Sequence, residues 1–315
     1  MTASAPNSAN TPRWAVAVHG GAGTLPRNLP GVERRQIHRT LTEALESACA
    51  ALRAGGRSLD AVQCAVRVME ASGVLNAGRG AVLNRDGVAE LDAALMDGRE
   101  RRAGAVGAVR RIAHPIDLAR MLLDQGRHVM LVGAGAEEFA LASGVTPRPD
   151  AFFVTERRRA ELARAQAAPG RVRERPDASE GPGGTVGAVA LDVHGDLAAA
   201  TSTGGLTNKL PGRIGDSPLI GAGTFAENGV CAVSTTGAGE YFVRFCAASD
   251  VAARVKYQGR SLLTAAEEVI AAICAAGGRG GLIAVDARGA VAMPYSAASL
   301  LRGAASSERA PQVTV

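Results

Sequence analysis

The stretch "GPGGTVGAVALDVHGDLAAATS", residues 181–202, passes from a glycine run into short alternating apolar segments. From Thr185 it reads as a strand, a "DVHGD" turn and a second strand, because Gly and Asp punctuate runs too short for helices. A hairpin of this kind belongs to an antiparallel sheet. Thr185 stands where the pattern changes, and its ordinary reading is a β-branched residue opening a strand.

Outward from this hairpin the chain alternates in blocks. "WAVAVHGGAG" (14–23) reads as a strand running into a glycine turn, and 33–53 and 58–72 carry apolar residues at helical spacing, with Ser58 as N-cap. "AVLNRDGVAELDAALMDG" (81–98) reads as a hairpin around "NRDG", and "RAGAVGAVRRI" (102–112) as a strand. Helices are predicted at 115–126 and 135–144. From about 146 to 184 Pro, Arg and Gly dominate around one helical patch near 155–167, which predicts a mobile tail. Beyond the hairpin come a strand at 229–237, helices at 240–257 and 262–276, and a final hairpin at 281–294. Hairpins in both halves, with helices grouped between them, argue against a regular βαβ succession. They predict an α+β fold in which two stacked, mainly antiparallel sheets carry helices outside, a four-layer αββα sandwich spanning 1–315 as one domain.

Composition narrows the function. Aromatics are 3% of the residues, so no surface for stacking nucleobases is expected. The net charge of +5 comes from 35 basic and 30 acidic residues mixed along the chain. The densest basic run, 156–177, is interspersed with acids and reads as a solvated helix and linker. No charge-free apolar run reaches membrane-spanning length. The first dozen residues lack the basic start and apolar stretch of a signal peptide. Five cysteines, at 49, 64, 231, 246 and 274, form no CxxC pair and sit in apolar segments, which predicts buried free thiols in a reducing compartment. Neither a nucleic acid nor a membrane is an expected partner.

A cut between Gly184 and Thr185 would leave a threonine with both a hydroxyl and a free α-amine. That amine titrates near pH ~8, so it can take the hydroxyl proton and act as base for its own side chain. No histidine is then required. "HGGAG" (19–23) could suggest a phosphate loop or an oxyanion hole, but the chain lacks GxxxxGK[ST], GxGxxG and GxSxG. "TSTGGLTNKLPGRIGDSPLIGAG" (201–223) has too much Gly and Pro for an element interior and reads as a long shaped loop. Within it Arg213 and Asp216 would make a surface ion pair, or would hold an α-carboxylate and an α-ammonium respectively. "STTGAGE" (234–240) ends a strand with hydroxyls and glycine amides suited to an oxyanion.

Taken in order, "HGGAG", "LNAGRGAVLNRDGVAELDAALMDG" (75–98), "GGTVGAVALD" (183–192), the 201–223 loop and "STTGAGE" resemble the isoaspartyl peptidase/L-asparaginase family, the plant-type asparaginases among the N-terminal nucleophile hydrolases. The resemblance covers nearly the whole chain. It implies the N-terminal nucleophile hydrolase fold and a precursor that cuts its own Gly184–Thr185 bond, giving 1–184 and 185–315. It implies attack by Thr185 on the side-chain amide of L-asparagine or the isopeptide carbonyl of a β-aspartyl dipeptide, with a β-aspartyl ester intermediate and release of aspartate. Thr203 matches the threonine that supports the nucleophile, Thr236 and Gly237 the oxyanion pair, and Asn76 the asparagine beside the nucleophile. Arg213 matches the residue that binds the substrate α-carboxylate, Asp216 the one that binds its amine, and Gly239 a glycine of the pocket. No organic cofactor is implied. A structural sodium ion held mostly by backbone carbonyls in the loop at 69–78 is implied, although Leu75 stands where the family often has Phe. The resemblance also implies a homodimer of two-fragment protomers. Two other readings share the scaffold: a glycosylasparaginase-like hydrolase of N-linked asparagine, and a non-catalytic binding relative. The absence of a signal segment and of a cysteine framework counts against the first, and the retained Thr185, Arg213 and Asp216 against the second.

Overall fold

The computed structural model describes residues 13–23, 29–167 and 184–315; the expectations for the first dozen residues, and for 168–183 of the tail, lie outside the described residues. The first half contains β1 (Ala15–Gly23), α1 (Gly31–Arg53), α2 (Ser58–Ala71), β2 (Leu91–Asp97) and β3 (Arg102–Val109). It continues with α3 (Pro115–Gln125), β4 (Met130–Val132), α4 (Gly133–Ala142) and α5 (Glu156–Gln166). The second half opens with β5 (Val186–Leu191), β6 (Leu197–Thr203), β7 (Thr224–Glu227) and β8 (Cys231–Gly237). Three helices follow, α6 (Gly239–Phe245), α7 (Ala247–Gln258) and α8 (Leu262–Ala275). The chain closes with β9 (Gly280–Asp286), β10 (Val291–Ala292), β11 (Ser299–Ser306) and β12 (Arg309–Thr314).

Among the described residues the strands form two sheets, ordered β12-β11-β1-β5-β6-β2-β3-β4 and β10-β9-β8-β7. Every pairing is antiparallel except β3 with β4, which are joined through α3. Strand alternation divides the core into two layers. Val16, Val18, Val186, Ala188 and Ala190 face α1–α5, whereas Ala15, Ala17, Val189 and Leu191 face the smaller sheet and α6–α8. Residues i and i+2 share a face, so short alternating runs suffice to stack helix, sheet, sheet and helix. The expected αββα sandwich is the fold. Its central hairpin is fixed by Asp192, whose Oδ1 accepts from the backbone N–H of His194 (2.9 Å) and Asp196 (3.0 Å). Asp192 Oδ2 accepts from Ser58 N at 2.8 Å, tying the start of α2 to the β5–β6 turn.

Four local expectations differ from the structure. Ser58 is the first helical residue of α2, with Arg57 in the N-cap position. The turn at Asn84–Gly87 forms, but residues 81–90 bond to the long loop instead of completing a hairpin: Asn208 N donates to Leu83 O and Arg85 N to Lys209 O, both at 2.9 Å. The hairpin partner of β2 is β3. The helix expected over 240–257 breaks at Cys246, which adopts a left-handed conformation (φ 46°). The break lets the first turn of α7 seat on the preceding loop, with Ala248 N donating to Ala222 O and Ser249 N to Gly221 O. The helical patch expected near 155–167 forms as α5, but it packs into the fold in place of the mobile tail expected from about 146. Thr155 caps that helix, Leu162 joins the core, and buried Arg158 donates to Gly80 O and Glu161, each at 2.7 Å.

Candidate active site

Thr185 directly precedes β5 and lines a pocket with Gly184, Asn76, Gly205, Thr236 and Gly237. Gly184 approaches the bulge of β1 between His19 and Gly21. Gly21 has φ 109°, and any Cβ there would strike the Gly184 backbone. The glycines of "HGGAG" therefore admit the segment that precedes Thr185, a use that does not involve a phosphate.

The Thr185 hydroxyl donates to Thr203 Oγ1 at 3.0 Å, and Thr203 Oγ1 also accepts from Gly205 N at 3.0 Å. Thr203 ends β6 and is buried, so a rigid strand carries the partner of the Thr185 hydroxyl. Thr236, near the end of β8, accepts from Ala22 N at 3.1 Å through Oγ1. Its own proton stays available for an oxygen in the pocket. Gly237 adopts φ 144°, and a Cβ there would strike Arg279 O. Asn76 donates through Nδ2 to Gly205 O (2.8 Å) and accepts from Val82 N (2.9 Å), fixing its amide between two loops.

The other matched residues form a second cluster behind this pocket. Arg213 lies in the 201–223 loop, with Nε 2.9 Å and Nη2 2.8 Å from Glu240 Oε1. Nη2 makes no aligned hydrogen bond in this buried position. Asp216 accepts from Thr235 Oγ1 at 2.6 Å, and burial pushes its carboxyl up to about 6. A Cβ on Gly239 would lie 2.8 Å from Asp216 Oδ1 and 2.9 Å from Arg213 Nη2, so the missing side chain leaves both groups open. A Cβ on Gly205 would stand 3.2 Å from Arg213 Nη1. Since Gly205 also lines the Thr185 pocket, the two clusters are contiguous. One supplies a hydroxyl with a hydroxyl partner, the other an incompletely bonded guanidinium beside a buried carboxyl. Together they match the needs of an amino-acid head group whose side-chain carbonyl reaches a nucleophile.

Sequence reading passed over three neighbours. Glu240 ends the "STTGAGE" motif yet meets Arg213 only through the tertiary fold. Lys209 is buried, donates to Glu90 O at 2.9 Å, and has its pKa lowered by that burial. His19 is fully buried against the Thr185 carbonyl, which makes it more than a residue beside a glycine cluster. The loop at 69–78 also has a definite form. A Cβ on Gly78 would crowd Glu70 O, and one on Gly80 would crowd the carbonyls of Gly73 and Leu75. Backbone oxygens thus gather in the loop, and hard donors of this kind suit an alkali cation.

The sequence model of the family described as Asparaginase matches residues 12–315. The chain is 47% identical over 292 residues to an isoaspartyl peptidase of Salmonella typhimurium, covering 91% of this chain and 93% of that protein. It is 45% identical over 292 residues to an isoaspartyl peptidase of Escherichia coli, with 91% of each chain covered. It is 41% identical over 286 residues to an isoaspartyl peptidase/L-asparaginase of Bos taurus, covering 90% and 91% respectively. Among the described residues no helix is long and apolar enough to cross a membrane.

Proposed function

The chain belongs to the isoaspartyl peptidase/L-asparaginase family of N-terminal nucleophile hydrolases, and from that premise we propose that Thr185 is its nucleophile, first on its own chain and then on substrate. The protein is an autoprocessing amidohydrolase that releases L-aspartate from L-asparagine and β-aspartyl dipeptides. The observation that carries the residue assignment is the Thr185–Thr203 hydroxyl contact, set in a pocket shared with Gly184, Thr236 and Gly237.

In the precursor the Thr185 hydroxyl attacks the Gly184 carbonyl carbon. The C–N bond breaks as the ester forms, and the proton passes to the departing amine. Water then hydrolyses the ester, giving 1–184 and a second fragment beginning at Thr185. The freed amine titrates near pH ~8 and accepts the hydroxyl proton in each later turnover. Thr203 orients the hydroxyl. Arg213 binds the substrate α-carboxylate, Asp216 its α-ammonium, and Gly239 keeps the space between them clear. Attack on the side-chain carbonyl places negative charge on its oxygen. The Thr236 hydroxyl and Gly237 N–H stabilise that charge as preorganised donors. Ammonia or an amino acid leaves, and water releases aspartate from the β-aspartyl ester. Asn76 braces the Gly205 side of the pocket.

A sodium ion in the 69–78 loop would be held by carbonyls such as those of Glu70, Gly73 and Leu75, and would stiffen the segment that carries Asn76. The working assembly in this reading is a homodimer of cleaved protomers. A cytoplasmic setting is supported by five free cysteines, of which Cys64 and Cys246 are exposed. The test follows ammonia release from L-asparagine and L-glutamine, and aspartate release from a β-aspartyl dipeptide. Release from the first and third but not from glutamine is expected; no release from either, by protein cut at Gly184–Thr185, overturns the proposal.

A further inference from the structure

β1 and β5 pair in register from Ala15↔Leu191 to His19↔Gly187, where the ladder ends. Thr185 lies two residues beyond, outside any strand. On one face of the sheet, Gly187 and Thr185 are same-side neighbours and His19 is the cross-strand partner. The His19 ring crosses the position where Gly187 lacks a side chain; a Cβ there would strike both His19 Nε2 and Ser234 Oγ. Beyond Gly187 the ring reaches the Thr185 carbonyl, with Nδ1 3.0 Å from that oxygen.

The remaining contacts fix the protons. A carbonyl oxygen only accepts, so His19 Nδ1 carries the hydrogen. Burial drives the His19 pKa down to about 3, so the ring is neutral at neutral pH and Nε2 is an acceptor. Ser234 Oγ, 2.9 Å away, must therefore donate to Nε2. Its 2.7 Å contact with Thr201 Oγ1 then uses the Thr201 proton, which also faces Gly223 O at 3.2 Å, and Thr224 Oγ1, 3.0 Å from Ser217 O, donates to Thr201 at 2.7 Å. Thr224, Thr201, Ser234 and His19 are all buried. Their hydrogen bonds run in one direction from β7 of the smaller sheet to the backbone of Thr185.

We propose that His19 is a positioning residue for the nucleophile: held as its Nδ1–H tautomer by Ser234, it anchors the Thr185 carbonyl and so aims the hydroxyl at the carbonyl it attacks. The inference rests on Thr185 being the nucleophile. It gives the lone histidine of "HGGAG" a role separate from acid–base chemistry. It also makes glycine at 187 a requirement of the ring's path.

The test combines a spectrum with three variants. Protein labelled with ¹⁵N-histidine is expected to show His19, identified by its loss in His19→Asn, as an Nδ1–H tautomer that does not titrate between about pH 5 and 8. Asn places an N–H where Nδ1 stood, Gln places a polar group where Nε2 stood, and Leu supplies bulk alone. Thermal midpoints are measured for all three. His19→Asn is expected to retain precursor cleavage and kcat within about 3-fold. His19→Gln and His19→Leu are expected to lose about 10- to 100-fold in both with KM little changed, the scale of a misoriented reacting group. An Nε2–H tautomer overturns the proposal, and so does His19→Leu with unaltered rates, or His19→Asn falling as far as His19→Gln at equal thermal midpoint. If the variants do not fold, the tautomer decides. Aspartate release by the unaltered protein is the control, since its absence would count against the Thr185 assignment instead of His19.

Discussion

In the proposed mechanism Asp216 sets binding of the substrate's ammonium against stability of the fold, and replacing it separates the two. Burial holds its carboxyl at about 6 against an ordinary 3.8, so the folded chain takes up a proton that the unfolded chain has already lost. Between these values the native state binds more protons, and stability falls as pH rises through them. The penalty is absent below 3.8 and fully present above 6. At about 1.4 kcal/mol per pKa unit, it amounts to about 3 kcal/mol at pH 7 and roughly half of that at pH 5. Asp216→Asn keeps an acceptor for Thr235 Oγ1 but removes the charge. In a Thr185→Ala background, where unfolding concerns one uncut chain, urea denaturation should show Asp216→Asn more stable by about 3 kcal/mol at pH 7, with the gain shrinking as pH falls. In the active protein the same change should lower kcat/KM for L-asparagine by about 10- to 150-fold, the worth of a charge-assisted hydrogen bond. Equal stability of the two chains at pH 7, or a gain independent of pH, would refute the reasoning about burial. Unaltered kcat/KM would refute the ammonium-binding role.

Thr203→Val removes the oxygen that accepts from both Thr185 and Gly205 N. Cleavage followed by intact mass should slow at least about 5-fold, given about 1–3 kcal/mol for the stranded N–H alone, while Thr203→Ser should remain close to the original. Gly239→Ala introduces a methyl 2.8 Å from Asp216 Oδ1 and 2.9 Å from Arg213 Nη2. Steady-state kinetics should show KM raised far more than kcat is lowered, because the methyl obstructs head-group binding and not the attack. Arg158→Ala leaves Glu161 buried and deprives Gly80 O of its donor. A loss of about 1–3 kcal/mol in urea denaturation is expected, since the buried Gly80 carbonyl is left without its donor while Arg157 Nε, 3.0 Å from Glu161 Oε1, keeps that carboxylate paired.

Much of the sandwich is visible in residue pattern because its central strands are short, alternating and bounded by turn residues. The β5–β6 hairpin is legible from Asp192 and Gly195, and α3 from Pro115 at its first turn and Gly126 at its left-handed end. Peripheral strands escape such reading. β7 has four residues directly after the glycine-rich loop, β4 has three, and β12 contains Pro311 between Ala310 and Gln312. Cys246 carries no local signal for its left-handed conformation; the carbonyls of Gly221 and Ala222, distant in sequence, draw the start of α7 into place. The site divides in the same way. Thr203, Thr236 and Gly237 end strands in motifs that can be quoted. The link between His19 and Thr185 exists only because β1 lies beside β5, and that between Arg213 and Glu240 only because α6 meets the long loop.

The central claim is that this chain makes its own nucleophile by cutting before Thr185. Intact-mass measurement of the purified protein, beside its Thr185→Ala variant, tests it most directly. The unaltered chain is expected to give two polypeptides, one ending at Gly184 and one beginning at Thr185, and Thr185→Ala a single uncut polypeptide. An unaltered chain that stays whole while releasing aspartate, or a Thr185→Ala variant that is cut at the same bond, would contradict it.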